Sequence, residues 1–311
     1  MAETIGLDVG GTKVLGVRID GDGQIVDEQR ADSPHAGADA LATTCAELVG
    51  ALGTADEPVG VGVAGLVDKQ GRVTYSPNLI HLRQAPVRAA VADITGRRVI
   101  ADNDANAATL AEVAYGAARG ARHAILVTLG TGIGGGIVLD GRVYRGANNF
   151  AAEFGHFTVD ARGPMCACGE RGHWEAIASG EALGRMAREL IARGGGSAII
   201  AVAGDRSAVT GVHVGQAAAR GDGDALGLLA EYADNVALGL AALANLFDPE
   251  CIVIAGGLVE LGVLLFGPLH DAFRRHVEGL DYRPAVPIVP AELGERAGAV
   301  GAAVLARELL P

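Results

Sequence analysis

The amino-acid sequence predicts an α/β protein made of two similar halves, each with the element order βββαβαβα. Three observations lead to this prediction. Strand-like and helix-like segments alternate along the chain, which favours largely parallel sheets with helices on both faces. A glycine-rich turn follows the first strand of each half. An offset of 120 residues aligns the halves and places Ile5, Gly10, Gly16, Asp20 and Gly21 on identical residues of the second half.

The first half begins with three short strands in hairpins, followed by helices that alternate with single strands. The three strands are "ETIGLDVG", "KVLGVRI" and "QIVDEQR", with the turn "DGDG" between the last two. The later elements are a helix near 37–52, a strand at 59–65, a helix at 86–95, the strand "RRVIAD" and the helix "ANAATLAEVAYGAA". We expect residues 1–118, completed by the C-terminal helix at 296–311, to form a small N-terminal domain.

The second half repeats this order and forms the larger predicted domain, residues 119–295. Its elements are the strands "AILVTLG", "GGGIVLD" and "RVYRG", several helices including a long one at about 224–246, the buried strand "CIVIAGG", a helix at about 261–276 and the strand "AVPIVPA". Two related α/β halves predict a ligand site in the cleft between them.

Composition and charge restrict the classes of function. The 311 residues are 50% hydrophobic and carry a formal net charge of −12, which argues against a nucleic-acid or anionic-membrane binder. We see no signal peptide and no run of eighteen uncharged apolar residues, so we expect no transmembrane helix. Four cysteines are too few for a disulfide framework in a chain of this length, so we expect a cytoplasmic protein.

Two glycine-rich turns and a glycine pair predict a nucleotide site. "DVGGTK" at 8–13 and "LGTGIGGG" at 129–136 let backbone N–H groups approach an anion, and "IAGG" at 254–257 leaves room for adenosine. Any one of these turns alone is equally well explained as a plain hairpin turn, and neither turn is a P-loop. Asp8 is the predicted Mg²⁺ ligand. The predicted nucleotide-binding residues are Asp8, Gly10, Gly11, Thr12, Lys13, Gly130, Thr131, Gly132, Gly134, Gly256 and Gly257.

A polar stretch, "ADNDANAATLAE" at 101–112, ends a strand and opens a helix. Asn103, Asp104 and Asn106 are residue types that favour helix N-termini, so capping alone would explain them. The ends of strands in α/β folds are also where catalytic carboxylates lie. Asp104 could therefore act as a general base for a substrate hydroxyl.

A second short stretch, residues 153–175, predicts a metal site. His156, Cys166, Cys168 and His173 have the spacing H-x9-C-x-C-x4-H, and four nitrogen or sulfur ligands in a glycine-containing loop suit structural Zn²⁺. The alternative is that the thiols are free and the histidines unrelated to them.

Taken together, "DVGGTK", "SPNL", "DNDANAA", "GTGIGGG", "ExGH…CxCGxxG" and "IAGG" resemble the ROK family of sugar kinases and repressors, most of all its bacterial glucokinases. The resemblance implies an actin-like ATPase (ribonuclease H-like) fold and ATP- and Mg²⁺-dependent phosphorylation of a hexose, with Asp104 as the base. It also implies a dimer or tetramer, and that His156 serves both the zinc and the sugar. The implied sugar-binding residues are Gly65, Asn78, Asn103, Asp104, Glu153, His156 and Glu175.

The sequence departs from the family pattern at several positions. His173 stands where the family usually has a cysteine, Asn149 and Ala152 stand where it often has glycine, and "IHLRQAP" replaces a tryptophan-containing turn after "SPNL". Because the last two departures flank the implied sugar pocket, mannose, fructose, allose or N-acetylmannosamine are alternative acceptors, and polyphosphate is an alternative donor. A sugar-sensing repressor is the other reading, but the first turn begins at residue 8, so we expect no DNA-binding helix-turn-helix before it.

Overall fold

The computed structural model describes residues 3–53 and 56–309, and it contains two five-stranded sheets of identical topology. The order is β3-β2-β1-β4-β7 in the first sheet and β10-β9-β8-β11-β12 in the second. The first sheet comprises β1 (Thr4–Val9), β2 (Lys13–Ile19), β3 (Ile25–Asp32), β4 (Val59–Val63) and β7 (Val99–Asn103). The second comprises β8 (Ala124–Leu129), β9 (Ile133–Leu139), β10 (Arg142–Val143), β11 (Cys251–Ala255) and β12 (Ile288–Pro290). The shared order confirms the predicted duplicated α/β fold.

Helices cover both faces of the first sheet, as expected when its central strands are apolar throughout. The helices of this part of the chain are α1 (Ala38–Leu52), α2 (Val87–Thr95), α3 (Asp104–Tyr115) and α10 (Ala297–Ala306). One core lies between the sheet and α1 with α2, and the other lies between the sheet and α3 with α10. The parallel strands β1, β4 and β7 end at the same edge of the sheet, which brings the residues that follow them together.

Helix α10 packs unusually close to its neighbours because its sequence, "AGAVGAAVLA", is built from small residues. A Cβ added at Gly60 on β4 would overlap the carbonyl group of Ala302, and one added at Gly301 would overlap the carbonyl group of Ala107 on α3. Backbone therefore lies directly against backbone on this face. The helix could not tolerate larger residues here without moving.

The remaining helices belong to the second half of the chain: α4 (Glu175–Ala178), α5 (Gly180–Ala192), α6 (Ser197–Ala203), α7 (Gly211–Ala219), α8 (Gly223–Phe247) and α9 (Val263–His276). Among the described residues, one helix is long and apolar enough to span a membrane, judged by length and composition only, and this helix is α8. It packs against α9, α7 and α4, and a Cβ at Gly239 on α8 would overlap the ring of the fully buried Trp174. This burial is what a core helix requires, so the finding is weak evidence for a membrane span.

The chain divides into two compact units. The first contains residues 1–124, 136–152 and 291–311, and the second contains residues 125–135 and 153–290. Segment 136–152, which we had predicted in the larger domain, groups with the first unit, where Arg145 and Asn149 bind Asp102 on β7. The predicted domain boundaries remain a prediction.

Short elements account for most differences between the predicted and observed secondary structure. A two-stranded hairpin of β5 (Leu66–Val67) and β6 (Val73–Tyr75) was not predicted, and the strand predicted at "RVYRG" is the two-residue β10. The helix predicted from about 261 is a 3₁₀ turn at Gly257–Leu261 followed by α9. Strands of two or three residues are too short to show the alternation by which strands are recognised in a sequence.

Candidate active site and metal centre

Two carboxylates, those of Asp8 and Asp104, lie close together at the edge of the first sheet. In β-sheet register Asp8 on β1 pairs with Gly62 on β4, and Gly62 pairs with Asp102 on β7. A Cβ at Gly62 would lie 3.5 Å from the Cα atom of Asp104, so the missing side chain leaves space beside Asp104. On the other side, a Cβ at Gly298 on α10 would lie 2.6 Å from the Asp8 carboxyl carbon. Glycines thus make the room in which Asp8 and Asp104 approach one another.

Asn103 caps α3 and also orients Asp104. Its Oδ1 accepts hydrogen bonds from Ala105 N (2.9 Å) and Asn106 N (3.0 Å), as an N-cap residue does. Its Nδ2 donates to the carbonyl of Gly65 (3.0 Å) and to Asp104 Oδ1 (3.0 Å). Asp104 Oδ1 also accepts from Ala105 N at 2.9 Å. The helix cap predicted from the sequence is therefore present, and it leaves Asp104 Oδ2 outside these hydrogen bonds.

Burial makes ionisation of the Asp8 and Asp104 carboxyl groups less favourable. Burial first, and then the neighbouring charge of Asp104, raise the pKa of Asp8 to about 7, although Lys13 opposes the shift. Burial also raises the pKa of Asp104, against the opposing effect of hydrogen bonds from backbone N–H groups and from Asn103. A pair of acids with raised pKa values suits both proton transfer and the binding of a cation.

The turn between β1 and β2 carries the predicted first phosphate loop. It is closed by a hydrogen bond from Gly10 N to Lys13 O (3.0 Å). Gly11 faces the SPNL segment, because a Cβ there would meet the carbonyl oxygen of Asn78 at 3.4 Å. Lys13 Nζ lies 2.7 Å from Glu295 in an exposed ion pair. Within the first unit the structure thus brings the first turn next to Asn78, and Asn103 next to both Gly65 and Asp104.

The second glycine-rich turn, between β8 and β9, belongs to the second unit. Gly130 N donates to Gly132 O (3.0 Å), and Gly180 N donates to Gly130 O (2.7 Å), which fixes the start of α5 against the turn. Glu175 Oε2 accepts from Ile133 N at 2.9 Å, and it fills the space that a side chain at Gly132 would need. This contact between Glu175 and the turn was not predicted from the sequence.

The four predicted metal ligands lie together in the second unit. One ligand atom from each of His156, Cys166, Cys168 and His173 lies within 4.8 Å of the others. Cys168 Sγ is 3.2 Å from His173 Nδ1, and Cys166 Sγ is 3.9 Å from His156 Nδ1. In a tetrahedral zinc site the bonds are about 2.0–2.3 Å long, so neighbouring ligand atoms lie at about these separations. Two thiols and two imidazoles are a fitting donor set for Zn²⁺.

Backbone hydrogen bonds hold the metal-binding loop in shape. Cys166 N donates to Glu170 O (2.8 Å) and Gly169 N donates to Cys166 O (3.0 Å), which makes a tight turn around Cys168. An isolated β-bridge between Thr158 and His173 aligns the two ends of the loop. The loop also reaches Glu175, since Cys166 Sγ lies 3.5 Å from Glu175 Oε1. Glu175 therefore connects the metal-binding loop with the second glycine-rich turn.

Two residues that sequence reasoning did not select, Asp102 and Arg145, belong to the surroundings of Asp104, together with Asn149, which the sequence showed only as a departure from the family pattern. Asp102, Arg145 and Asn149 form a hydrogen-bonded group behind the N-cap of α3, in which Asp102 and Asn149 are buried and Arg145 is half-buried. They also line a cavity of about 260 Å³ in the first unit, together with Asp68, Lys69, Ile100, Ala101, Leu305 and Glu308. Neither Asp8 nor Asp104 lines this cavity, so it is distinct from the space beside the two carboxylates.

Comparison with known proteins shows similarity over nearly the whole chain. A family model described as "ROK family" matches residues 4–309. A glucokinase from Streptomyces coelicolor is 37% identical over 320 residues, which cover 99% of this chain and 98% of the relative. A glucokinase from Thermotoga maritima is 35% identical over 308 residues, covering 98% and 97%. The crystal structure of a ROK family glucokinase from Streptomyces griseus, in complex with glucose and AMPPNP, matches with a TM-score of 0.86 and 38% identity, covering 99% of this chain and all of that one.

Proposed function

Because this chain belongs to the ROK family, we propose that it is an ATP-dependent hexose kinase that phosphorylates the 6-hydroxyl of glucose in the cytoplasm. The observation that carries the proposal is Asp104, a half-buried carboxylate of raised pKa at the N-terminus of α3, beside Asp8 and the first glycine-rich turn. The similarity to glucokinases, one of them bound to glucose and an ATP analogue, supports the choice of both substrates.

Asp104 is the proposed general base. Its Oδ1 is held by Ala105 N and Asn103 Nδ2, so Oδ2 is the oxygen available to a substrate hydroxyl. Because burial raises its pKa, the carboxylate is a stronger base than an exposed aspartate. As the sugar O6 bonds to the γ-phosphorus and the bond from that phosphorus to the β–γ bridging oxygen breaks, the O6 proton moves to Asp104. Phosphoryl transfer otherwise depends on positioning and on neutralising charge.

The glycine-rich turns are the proposed nucleotide-binding elements. In the first unit the residues are Asp8, Gly10, Gly11, Thr12 and Lys13; in the second they are Gly130, Thr131, Gly132, Gly134, Gly256 and Gly257. Asp8 would hold Mg²⁺, which neutralises phosphate charge when bound. The pKa of about 7 for Asp8 is consistent with this role, because a buried carboxylate that lacks a cation is costly to ionise.

The proposed sugar ligands are the residues that the family resemblance implies. They are Gly65, Asn78, Asn103, Asp104, Glu153, His156 and Glu175. Carboxylates and amides at fixed positions suit a polyol, since they accept and donate hydrogen bonds in set directions. His156, Cys166, Cys168 and His173 would hold a structural Zn²⁺, and zinc bound to one ring nitrogen of His156 would fix the tautomer of that side chain.

The test is a coupled ADP-release assay with Mg-ATP and glucose, mannose, fructose, allose or N-acetylmannosamine. We expect turnover to be highest with glucose. Asp104→Asn should lower kcat by about 10²–10⁴-fold, because that is the usual contribution of a general base, while calorimetry should show glucose affinity within a few-fold of wild type. Asp93→Asn, at an exposed position on α2, is the matched control and should retain kcat. Near-normal turnover of Asp104→Asn would remove Asp104 from this role.

A further inference from the structure

Asp102 is a buried carboxylate whose oxygens accept four hydrogen bonds from within the first unit. Its side chain is only 2% exposed. Oδ1 accepts from Asn103 N (2.8 Å), Asn106 Nδ2 (3.0 Å) and Asn149 Nδ2 (2.9 Å), and Oδ2 accepts from Arg145 Nε (2.6 Å). Burying a polar side chain is costly unless its atoms are hydrogen-bonded. The number of partners indicates that the position of Asp102 is strictly determined.

The four donors come from two separate segments, so Asp102 joins them. Asn103 and Asn106 belong to the start of α3, whereas Arg145 and Asn149 belong to the segment between β10 and Glu153. Asn149 Nδ2 donates to a second acceptor, the carbonyl of Val67 on β5, at 3.0 Å. The start of α3 is thereby attached through Asp102 to a segment that is itself attached to the β5–β6 hairpin.

Asn149 is suited to this role by its backbone as well as by its side chain. Its φ is 73°, in the left-handed region, which asparagine tolerates better than most residues because its short side chain can form local hydrogen bonds. It is 7% exposed, and both acceptors of its amide group are buried. Ala152 has the same φ of 73° but has no side chain able to form a hydrogen bond. The segment therefore contains two left-handed residues other than glycine, of which only Asn149 has a side chain that can donate to Asp102.

We propose that Asp102, held by Arg145 and Asn149, is a positioning residue that aims Asp104 at its substrate. This inference rests on the proposed function of Asp104. Asp102 fixes the backbone N–H of Asn103 and the side chain of Asn106, on either side of Asp104 in the chain. Asn103 in turn donates to Asp104 Oδ1.

The test compares Asn149→Gly with Ala152→Gly. Both substitutions place glycine at a left-handed position in the same segment, but only the first removes hydrogen bonds. We expect Asn149→Gly to lower kcat with glucose about tenfold, since a small displacement of a reacting group reduces rate strongly, and to leave the KM for ATP within about twofold. Ala152→Gly should leave both constants unchanged. Asn149→Asp should be worse than Asn149→Gly, because it presents oxygens to two acceptors.

Hydrogen exchange of the start of α3 is the second measurement. The amides of Ala105 and Asn106, which donate to Asn103 Oδ1, should exchange faster in Asn149→Gly than in wild type or Ala152→Gly. Equal kcat and equal exchange in all three proteins would overturn the proposal, and so would a lower kcat with unchanged exchange. If wild type phosphorylates no hexose, the proposed function fails, and the exchange rates alone then decide whether Asn149 and Asp102 hold this turn.

Discussion

Replacing Asp8 with asparagine should make the protein more stable, and increasingly so as the pH rises. Asparagine resembles the protonated form of Asp8, which is the form that burial and the nearby Asp104 favour. Below about pH 4 the Asp8 carboxyl is protonated in both the folded and the unfolded chain, so its raised pKa has no effect on stability. Between pH 4 and pH 7 it ionises in the unfolded chain first, and wild-type stability falls.

The size of the effect follows from the shift itself. A pKa raised from 3.8 to about 7 corresponds to a cost of about 4 kcal/mol above pH 7, at about 1.4 kcal/mol for each pH unit. The side chain is not sealed from solvent, and screening by water reduces the cost, so we expect about 2 kcal/mol. Mg²⁺ bound at Asp8 would offset the same cost, so the comparison belongs to metal-free protein.

The assay is urea unfolding of both proteins from pH 4 to pH 8.5, followed by far-ultraviolet circular dichroism. Fluorescence is unsuitable because Trp174, the single tryptophan, lies in the second unit, whereas Asp8 lies in the first. Asp22→Asn, at an exposed position in the turn after β2, is the control and should differ from wild type by the same amount at every pH. If the difference between Asp8→Asn and wild type is also constant over this range, burial does not raise the pKa of Asp8.

Three further experiments test separate parts of the structure. His173→Ala should lose bound zinc, measured by atomic absorption on purified protein. His173→Cys should retain the zinc, because a thiolate is also a good zinc ligand. If both variants retain the same amount of zinc, His173 is excluded as a ligand. Ala152→Gly should raise the free energy of unfolding by about 1 kcal/mol, since glycine relieves the left-handed strain at φ 73°, and unchanged unfolding would contradict this. Gly60→Ala should lower the free energy of unfolding by about 3 kcal/mol or more, because the new Cβ would overlap Ala302. Gly50→Ala, at an open position on α1, is the control and should be neutral or stabilising by up to about 1 kcal/mol. Similar effects of the two substitutions would refute the close packing of α10.

The features predictable from the sequence are those with a local signature. The succession of strands and helices along each half follows from alternating apolar segments and from the glycine-rich turns after β1 and β8, which the 120-residue repeat makes recognisable. The four predicted metal ligands fall within eighteen positions, from His156 to His173, so their spacing alone suggested that they lie together. The roles proposed for Asp104 and the sugar ligands stay predictions.

The features that were missed depend on contacts between distant parts of the chain. Asp102 follows the pattern of a strand end, and nothing near it indicates that Arg145 and Asn149 will bind it, 43 and 47 residues later. The hydrogen bond from Ile133 to Glu175 likewise joins residues 42 positions apart. Such partners are set by how the segments pack, which a single sequence does not display.

The packing of α10 also has a consequence for folding during translation. Among the described residues this is the last α-helix in the chain, yet it covers β1, β2 and β4, which are synthesised long before it. Translation proceeds at about 5–20 residues per second. The apolar face formed by Leu15, Val17 and Ile19 would therefore remain uncovered by α10 for tens of seconds during synthesis. A chain cut short before α10 would keep that face open to chaperones and proteases. The first unit can therefore bury this face completely only after α10 has been synthesised.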